Sequence, residues 1–417
     1  MSPTRLIFIV FMAQLLAQIG AYTVPALLPV FIDAWSLSNT EAGWLTGIWA
    51  GAYVLAVPVL VSLTDRIDAK KIYMISALLT TLTHIGYAFF ADGFWSAFIL
   101  RALAGMGWAG TYMPGLKVLA DRLEGTAQTR GVSWHAAGVG LSGAFSFLVS
   151  GVVADWVGWH WAFGVAGVCT VVAFLFMWLG IPDQTPKAHQ SKEERPALLD
   201  FRPIFRNRSA LAYSLGYCVH AWELFAFRSW GVTFLTFAAV SFGGAPNLSG
   251  PTSVAFVMGL LATWSSVTGN EACIRYGRQR VILWVMVSTM AVALAIGMSA
   301  AIGYGAAVVM CLIYNTMIYG DSSALTAGAS GSAKPGQRGA TLAVHSTLGY
   351  IGGFLGPLIL GIILDLAGGE SVFAWTLAFG HLAVIMVVGV VAISYLKPKD
   401  LPGDRHVNGL GTDDSRI

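Results

Sequence analysis

The sequence predicts an all-α membrane protein whose twelve transmembrane helices form two pseudo-symmetric six-helix bundles. Three observations predict it. First, only 11% of the 417 residues are charged and 56% are apolar, whereas a soluble domain carries about 25% charged residues. Too few charges remain to cover this chain in water, so lipid must solvate much of its surface. Second, apolar stretches of the roughly 20 residues that a helix needs to cross a bilayer recur along the chain. Third, the halves repeat. Gly151-Val-Val-Ala-Asp155-Trp-Val-Gly158 returns 210 residues later as Gly361-Ile-Ile-Leu-Asp365-Leu-Ala-Gly368, and His135 and His345 keep that offset. Arg66 and Arg275 are 209 apart. Several matches at nearly one offset indicate an internal duplication.

Taken in order, the spans fall at about 6–32, 42–63, 72–91, 96–119, 131–154 and 160–181 in the first half. Those of the second half fall at about 209–238, 251–273, 281–302, 304–328, 339–364 and 372–396. The first follows a single basic residue, Arg5, and runs past the length of a signal-peptide apolar region without a small-residue cleavage site. It therefore reads as a transmembrane helix. Residues 1–181 read as an N-terminal six-helix bundle and 209–396 as a C-terminal one. The polar stretch 182–208 reads as a cytoplasmic linker, and 397–417 as a disordered cytoplasmic tail.

Basic residues occupy alternate loops. Arg66, Lys70 and Lys71 follow the second span, Arg122 and Arg130 the fourth, Arg275, Arg278 and Arg280 the eighth, and Lys334 and Arg338 the tenth. The intervening loops carry only acids, such as Asp33, Asp92 and Glu370. The positive-inside rule then places both termini in the cytoplasm, in a multi-pass protein of the cytoplasmic (inner) membrane. A monomer is expected. Cys169, Cys218, Cys273 and Cys311 lie apart in apolar segments, with no CxxC or Cys/His cluster, so neither a disulfide nor a metal is implied. No G-x-x-x-x-G-K-[ST] loop supports direct ATP drive. No cofactor and no nucleic-acid partner is expected.

These features resemble the major facilitator superfamily, over the chain up to about Leu396. In that family the loop between helices two and three reads Gly-x-x-x-Asp-Arg-x-Gly-Arg-Arg/Lys. Here Val61-Ser-Leu-Thr-Asp65-Arg66-Ile-Asp68-Ala69-Lys70-Lys71 keeps the Asp-Arg pair and a distal base, with Val61 and Asp68 in place of the glycines. The second half keeps an Arg-x-Gly-Arg core in Arg275-Tyr276-Gly277-Arg278, and Arg101-Ala-Leu-Ala-Gly105 is similar to the family's fourth-helix Arg and Gly. The Gly-Pro of family antiporters is missing from the glycine-rich fifth span and stands instead at Gly356-Pro357 in the eleventh. The resemblance implies alternating-access transport of a small solute, with the first, fourth, seventh and tenth helices lining the path. It also implies gate charges at Asp65, Arg66 and Glu271.

Charges inside spans cost roughly 2.5–3.5 kcal/mol each at the bilayer centre, and so mark solute or ion paths. Arg101 shares a helix face with Trp108 and Tyr112, at i+7 and i+11. A guanidinium beside aromatic rings suits a carboxylate or another planar anion. Gln14, Gln18 and Tyr22 form a polar stripe at i, i+4 and i+8 on the first span. The seventh span holds His220, Glu223 and Arg228, and the tenth Tyr314 and Asp321. Glu223 and Asp321 are candidate proton-coupling acids, with Asp321 near enough to the inner end to hold a loop arginine instead. His135 and His345 stand at equivalent inner positions and are candidate gate residues. Gln14, Gln18, Tyr22, Arg101, Trp108, Tyr112, His220, Arg228 and Tyr314 are the candidate substrate contacts.

The reading is a secondary transporter for a small organic anion, coupled to protons as a symporter. An exporter of drugs or toxic compounds by proton antiport is the alternative. No enzyme is expected, although Gly140-Leu-Ser142-Gly143 matches a short motif of intramembrane serine hydrolases.

Overall fold

The computed structural model describes residues 1–64, 66–184, 205–242, 247–334, 337–401 and 404. Every regular element among them is a helix. The first half holds α1 (Pro3–Ala17), α2 (Thr23–Trp35), α3 (Asn39–Leu63), α4 (Ala69–Phe90), α5 (Phe94–Ala120), α6 (Gly125–Val157) and α7 (Trp159–Gly180). The second holds α8 (Arg208–Ser241), α9 (Ser249–Tyr276), α10 (Arg278–Ser299), α11 (Tyr304–Ile318), α12 (Ser322–Gly331), α13 (Arg338–Leu366) and α14 (Val372–Leu396). With α1 and α2 forming one span, and α11 and α12 another, these fourteen helices make the twelve predicted spans.

The helix ends follow from local chemistry. Asp68, Asn207 and Ser371 cap α4, α8 and α14 with their side chains. Gly158 and Gly277 adopt φ values of 94° and 90°, which a side chain would resist, and turn the chain from α6 into α7 and from α9 into α10. Large apolar side chains such as Leu55, Phe89, Leu179 and Val384 stand exposed on the outer surface. An apolar skin of this kind is solvated by lipid.

Two spans predicted as continuous are broken. The first break, at residues 18–22, follows from Pro25. In an unbroken helix the N–H four residues on would bond the Ala21 carbonyl, but that residue is a proline and has none. The second break, at 319–321, centres on Gly320, where Gly320 N–H turns back to Met317 O at 2.9 Å. Gly269 of α9 lies directly against the Gly320 carbonyl, leaving no room for a side chain.

The halves meet mainly along α3–α13, α6–α9 and α2–α8. The close approaches lie far from the chain termini. Gly43 faces the backbone of Pro357 and Leu358, Gly259 faces Ala144, and Gly151 faces Thr252. The molecule is therefore closed on the face opposite the termini.

At the terminal face each half is braced internally. Asp68 pairs with Arg122 at 3.3 Å and accepts Gln184 N–H at 2.7 Å. Lys70 reaches Asp183 at 2.7 Å, and this bond holds the Asp183 carboxyl below its usual range. In the second half the buried Arg278 holds Asp404 at 2.9 Å and Asn270 at 2.9 Å. The start of the expected tail is thus docked on the helices, with Lys399 N–H on Ser209 at 3.1 Å. Most of the expected linker and tail, and the gate candidate Asp65, lie outside the described residues.

Candidate functional site

Between the halves lies a cavity of about 490 Å³, within the ~300–1,000 Å³ range of small-molecule sites. It widens toward the terminal face, where Ser133, Ala136, Thr263 and Val267 of its wall are exposed. The opposite end is closed by aromatic rings from both halves. Trp49 and Trp108 pack at 4.8 Å between centroids, and Tyr350 of the second half lies 6.5 Å from Trp49.

Arg228 supplies the cavity's guanidinium, and the two helix breaks hold it. Tyr22, from the first break, places its ring 3.9 Å from Arg228 Cζ. Tyr319, from the second, receives a hydrogen bond on its hydroxyl from Arg228 Nη1 at 3.0 Å. One tyrosine comes from each half, so the cation sits on the plane between them. No carboxylate among the described residues lies within 4 Å of it. A cation flanked by rings gains up to about 2 kcal/mol when desolvated. Elsewhere on the wall, Ser133, Thr263, Ser266, Ser322 and Ser323 add hydroxyls among aromatic and small aliphatic side chains.

Arg101 sits elsewhere. It is 3% exposed and donates from Nη1 to the Ala21 carbonyl at 3.0 Å, the acceptor that Pro25 leaves open. It borders a separate void of about 10 Å³ with His84 and Gly20, room for one water. Trp49 and Trp108 line both spaces and divide them. The face expected to join Arg101, Trp108 and Tyr112 is therefore split, with the two rings on the cavity and the guanidinium behind them.

The remaining candidates separate in the same way. Tyr22, Trp108, Tyr112, His220 and Arg228 line the cavity, whereas Gln14, Gln18 and Tyr314 do not. Gln14 and Gln18 are buried, with Ser142 Oγ 3.4 Å from Gln18 Oε1. Ser142 donates to Val139 O of its own helix at 2.9 Å. Tyr314 turns inward and donates to Glu223 Oε1 at 2.8 Å, with both residues buried in the second half. Asp321 holds no loop arginine among the described residues; its Oδ1 lies 2.8 Å from His220 Nδ1. His220 thus links the cavity wall to Asp321 behind it. His135 packs against Tyr112 at 5.6 Å, and His345 stacks on Tyr217 at 4.0 Å, each buried behind a cavity ring. Arg66 is exposed, and Glu271 pairs with Arg275 of its own helix at 3.0 Å, so neither bridges the halves here.

Sequence reasoning missed Trp49, Tyr217, Tyr319 and Tyr350 on the cavity wall. Tyr319 carries a visible signal, since Tyr319-Gly320-Asp321 interrupts an apolar span with a glycine and an acid.

The Major Facilitator Superfamily model matches residues 10–357. The human protein spinster homolog 1 is 25% identical over 284 residues, 64% of this chain and 54% of that protein. The inner membrane transport protein YnfM of Escherichia coli K12 is 22% identical over 281 residues, 67% of this chain and 66% of its own. The chain spans about half the length of the spinster relatives it matches. Among solved structures, a bacterial homologue of the human lysosomal transporter Spinster, inward-facing and occupied, aligns with TM-score 0.75 and 17% identity. That alignment covers 95% of this chain and 96% of the other. The nucleoside transporter NupG aligns with TM-score 0.72 and 16% identity, covering 95% and 99%.

Proposed function

We propose that this chain, which belongs to the major facilitator superfamily, carries a small organic anion with an apolar or aromatic body across the cytoplasmic membrane, coupled to protons. One observation carries the reading: Arg228 is set into the central cavity between Tyr22 and Tyr319, with no carboxylate among the described residues within 4 Å. A solute carboxylate would take the exposed edge of the guanidinium by charge-assisted hydrogen bonds. Its body would lie along Trp108, Tyr112 and Phe225.

In this reading the bundles 1–181 and 209–396 rock about the cavity as a monomer, joined by the segment 182–208. The terminal face is cytoplasmic, so the conformation is inward-open. The interior acids support the coupling. Glu223 is 1% exposed and bonded by Tyr314, and three residues away on the same helix His220 of the cavity wall meets Asp321. A group in that position exchanges a proton when the path opens, and its charge state biases the access equilibrium.

The test is uptake into proteoliposomes of a panel of aliphatic and aromatic carboxylates, with and without an inward proton gradient. The gradient should drive accumulation, and Glu223→Gln should abolish that drive, about a tenfold fall in accumulation, while solute exchange at equal pH persists. Export of lipophilic cations that no carboxylate competes with would instead favour the drug-antiport reading. Its specific support is the aromatic wall formed by Trp49, Trp108, Tyr217 and Tyr350.

A further inference from the structure

We infer that Asp155 and Asp365, the repeated acids of the two halves, are paired latches that hold the face opposite the termini closed by capping a helix of the other half. Asp365, in the last turn of α13, accepts Asn39 N–H at 3.0 Å, Asn39 Nδ2 at 2.9 Å and Thr40 N–H at 2.7 Å. Asp155, in the last turn of α6, accepts Leu248 N–H at 3.1 Å and Ser249 N–H at 2.7 Å. Both acceptors cross from one half to the N-terminus of a helix in the other, α3 in one case and α9 in the other.

The first N–H groups of a helix have no partner within it, and carry partial positive charge. In α9 no side chain of the helix itself supplies the cap. In α3, Ser38 and Glu41 form a reciprocal box, with Ser38 N–H to Glu41 at 2.9 Å and Glu41 N–H to Ser38 at 3.2 Å. That box leaves the N–H groups of Asn39 and Thr40 for Asp365.

The repeated Gly-x-x-x-Asp pattern now has a physical reading. Residues four apart share a helix face. Gly361 lies against the Asn39 carbonyl and Gly151 against Thr252, so a side chain at either glycine would hold the helices apart. The glycine permits contact and the acid one turn later bonds across it. When the halves swing apart on this face, both carboxylates and four backbone N–H groups lose these partners together. The latches therefore set the balance between the two access states. Their role in a cycle rests on the transporter reading, but their test needs no solute, so either can fail alone.

The experiment uses the full chain in lipid nanodiscs, with the native cysteines replaced by alanine and spin labels on Ala34→Cys and Glu370→Cys. These two positions are exposed on the closed face, one in each half. The parent should give one short distance. Asp365→Asn or Asp155→Asn should each enrich a longer-distance population roughly tenfold, and the double variant should multiply the two factors. Unchanged distances in all three variants would overturn the proposal. So would an equal shift from Arg122→Gln, which loosens only the opposite end. Should the double variant lose its fold, amide exchange in the single variants decides. Asp365→Asn should speed exchange at residues 39–40, and Asp155→Asn at 248–249; exchange unchanged from the parent at those sites would also overturn it.

Discussion

Arg101 and Arg228 are both arginines inside apolar spans, one in each half, and they serve different ends. Arg101 repairs a backbone defect: Pro25 withholds an N–H, the Ala21 carbonyl is orphaned, and the guanidinium fills the gap at 3.0 Å. Arg228 repairs nothing. It is held by a tyrosine ring and a tyrosine hydroxyl, and its charge stays open to the cavity. What a buried cation does is decided by which acceptor it already has. Both arginines lie over a ring, Arg101 over Trp49 at 5.4 Å and Arg228 over Tyr22 at 3.9 Å, but only Arg228 lines the cavity, where the proposed function assigns it an anion.

Substitution of the two should separate binding from stability. Arg228→Gln should weaken carboxylate binding by roughly thirtyfold or more, corresponding to the ~2 kcal/mol or more lost when one partner of a desolvated charge pair is truncated. Its ligand-free melting temperature should stay near that of the parent, checked in the same thermal-shift series. Arg101→Gln should do the reverse, costing about 1–3 kcal/mol of stability through the unpaired Ala21 carbonyl, with ligand affinity preserved in isothermal titration. A double-substitution cycle sharpens the contrast. Pro25→Ala returns an N–H to the Ala21 carbonyl, so the cost of Arg101→Gln should fall by about 1 kcal/mol in that background. Additive costs would show that Arg101 does not act through that carbonyl. The smallest effect is expected from Tyr319→Phe, which keeps the ring but removes the acceptor for Arg228. A few-fold loss of affinity with little change in stability should follow, near the ~1 kcal/mol of one hydrogen bond.

The fold was legible because lipid imposes simple rules. Every span must be apolar and internally hydrogen-bonded, so composition, spacing and the 210-residue repeat of Asp155 and Asp365 were enough to expect twelve spans in two halves. The breaks were less legible, although Pro25 in the first span is a direct sign of one. Missing them had consequences. A continuous first helix puts Gln14, Gln18 and Tyr22 on one stripe, but the break leaves Gln14 and Gln18 buried and swings Tyr22 alone into the cavity. A continuous tenth helix likewise joins Tyr314 to Asp321, which the second break sends to Glu223 and His220 respectively. Trp49 and Tyr350 carry no sequence mark at all, because an aromatic residue in an apolar span looks the same whether it faces lipid, core or cavity. The pairing of Asp365 with Asn39 is 326 positions long in sequence and follows only from the docking of the halves.

The most direct test of the account is a thermal-shift titration of one carboxylate panel on three purified proteins: the parent, Arg228→Gln and Arg101→Gln. Carboxylates that stabilise the parent should also stabilise the Arg101 variant, from a lower starting melting temperature, and should no longer stabilise the Arg228 variant. Stabilisation that survives in Arg228→Gln and disappears in Arg101→Gln would contradict it and return the anion site to the chamber behind Trp49 and Trp108.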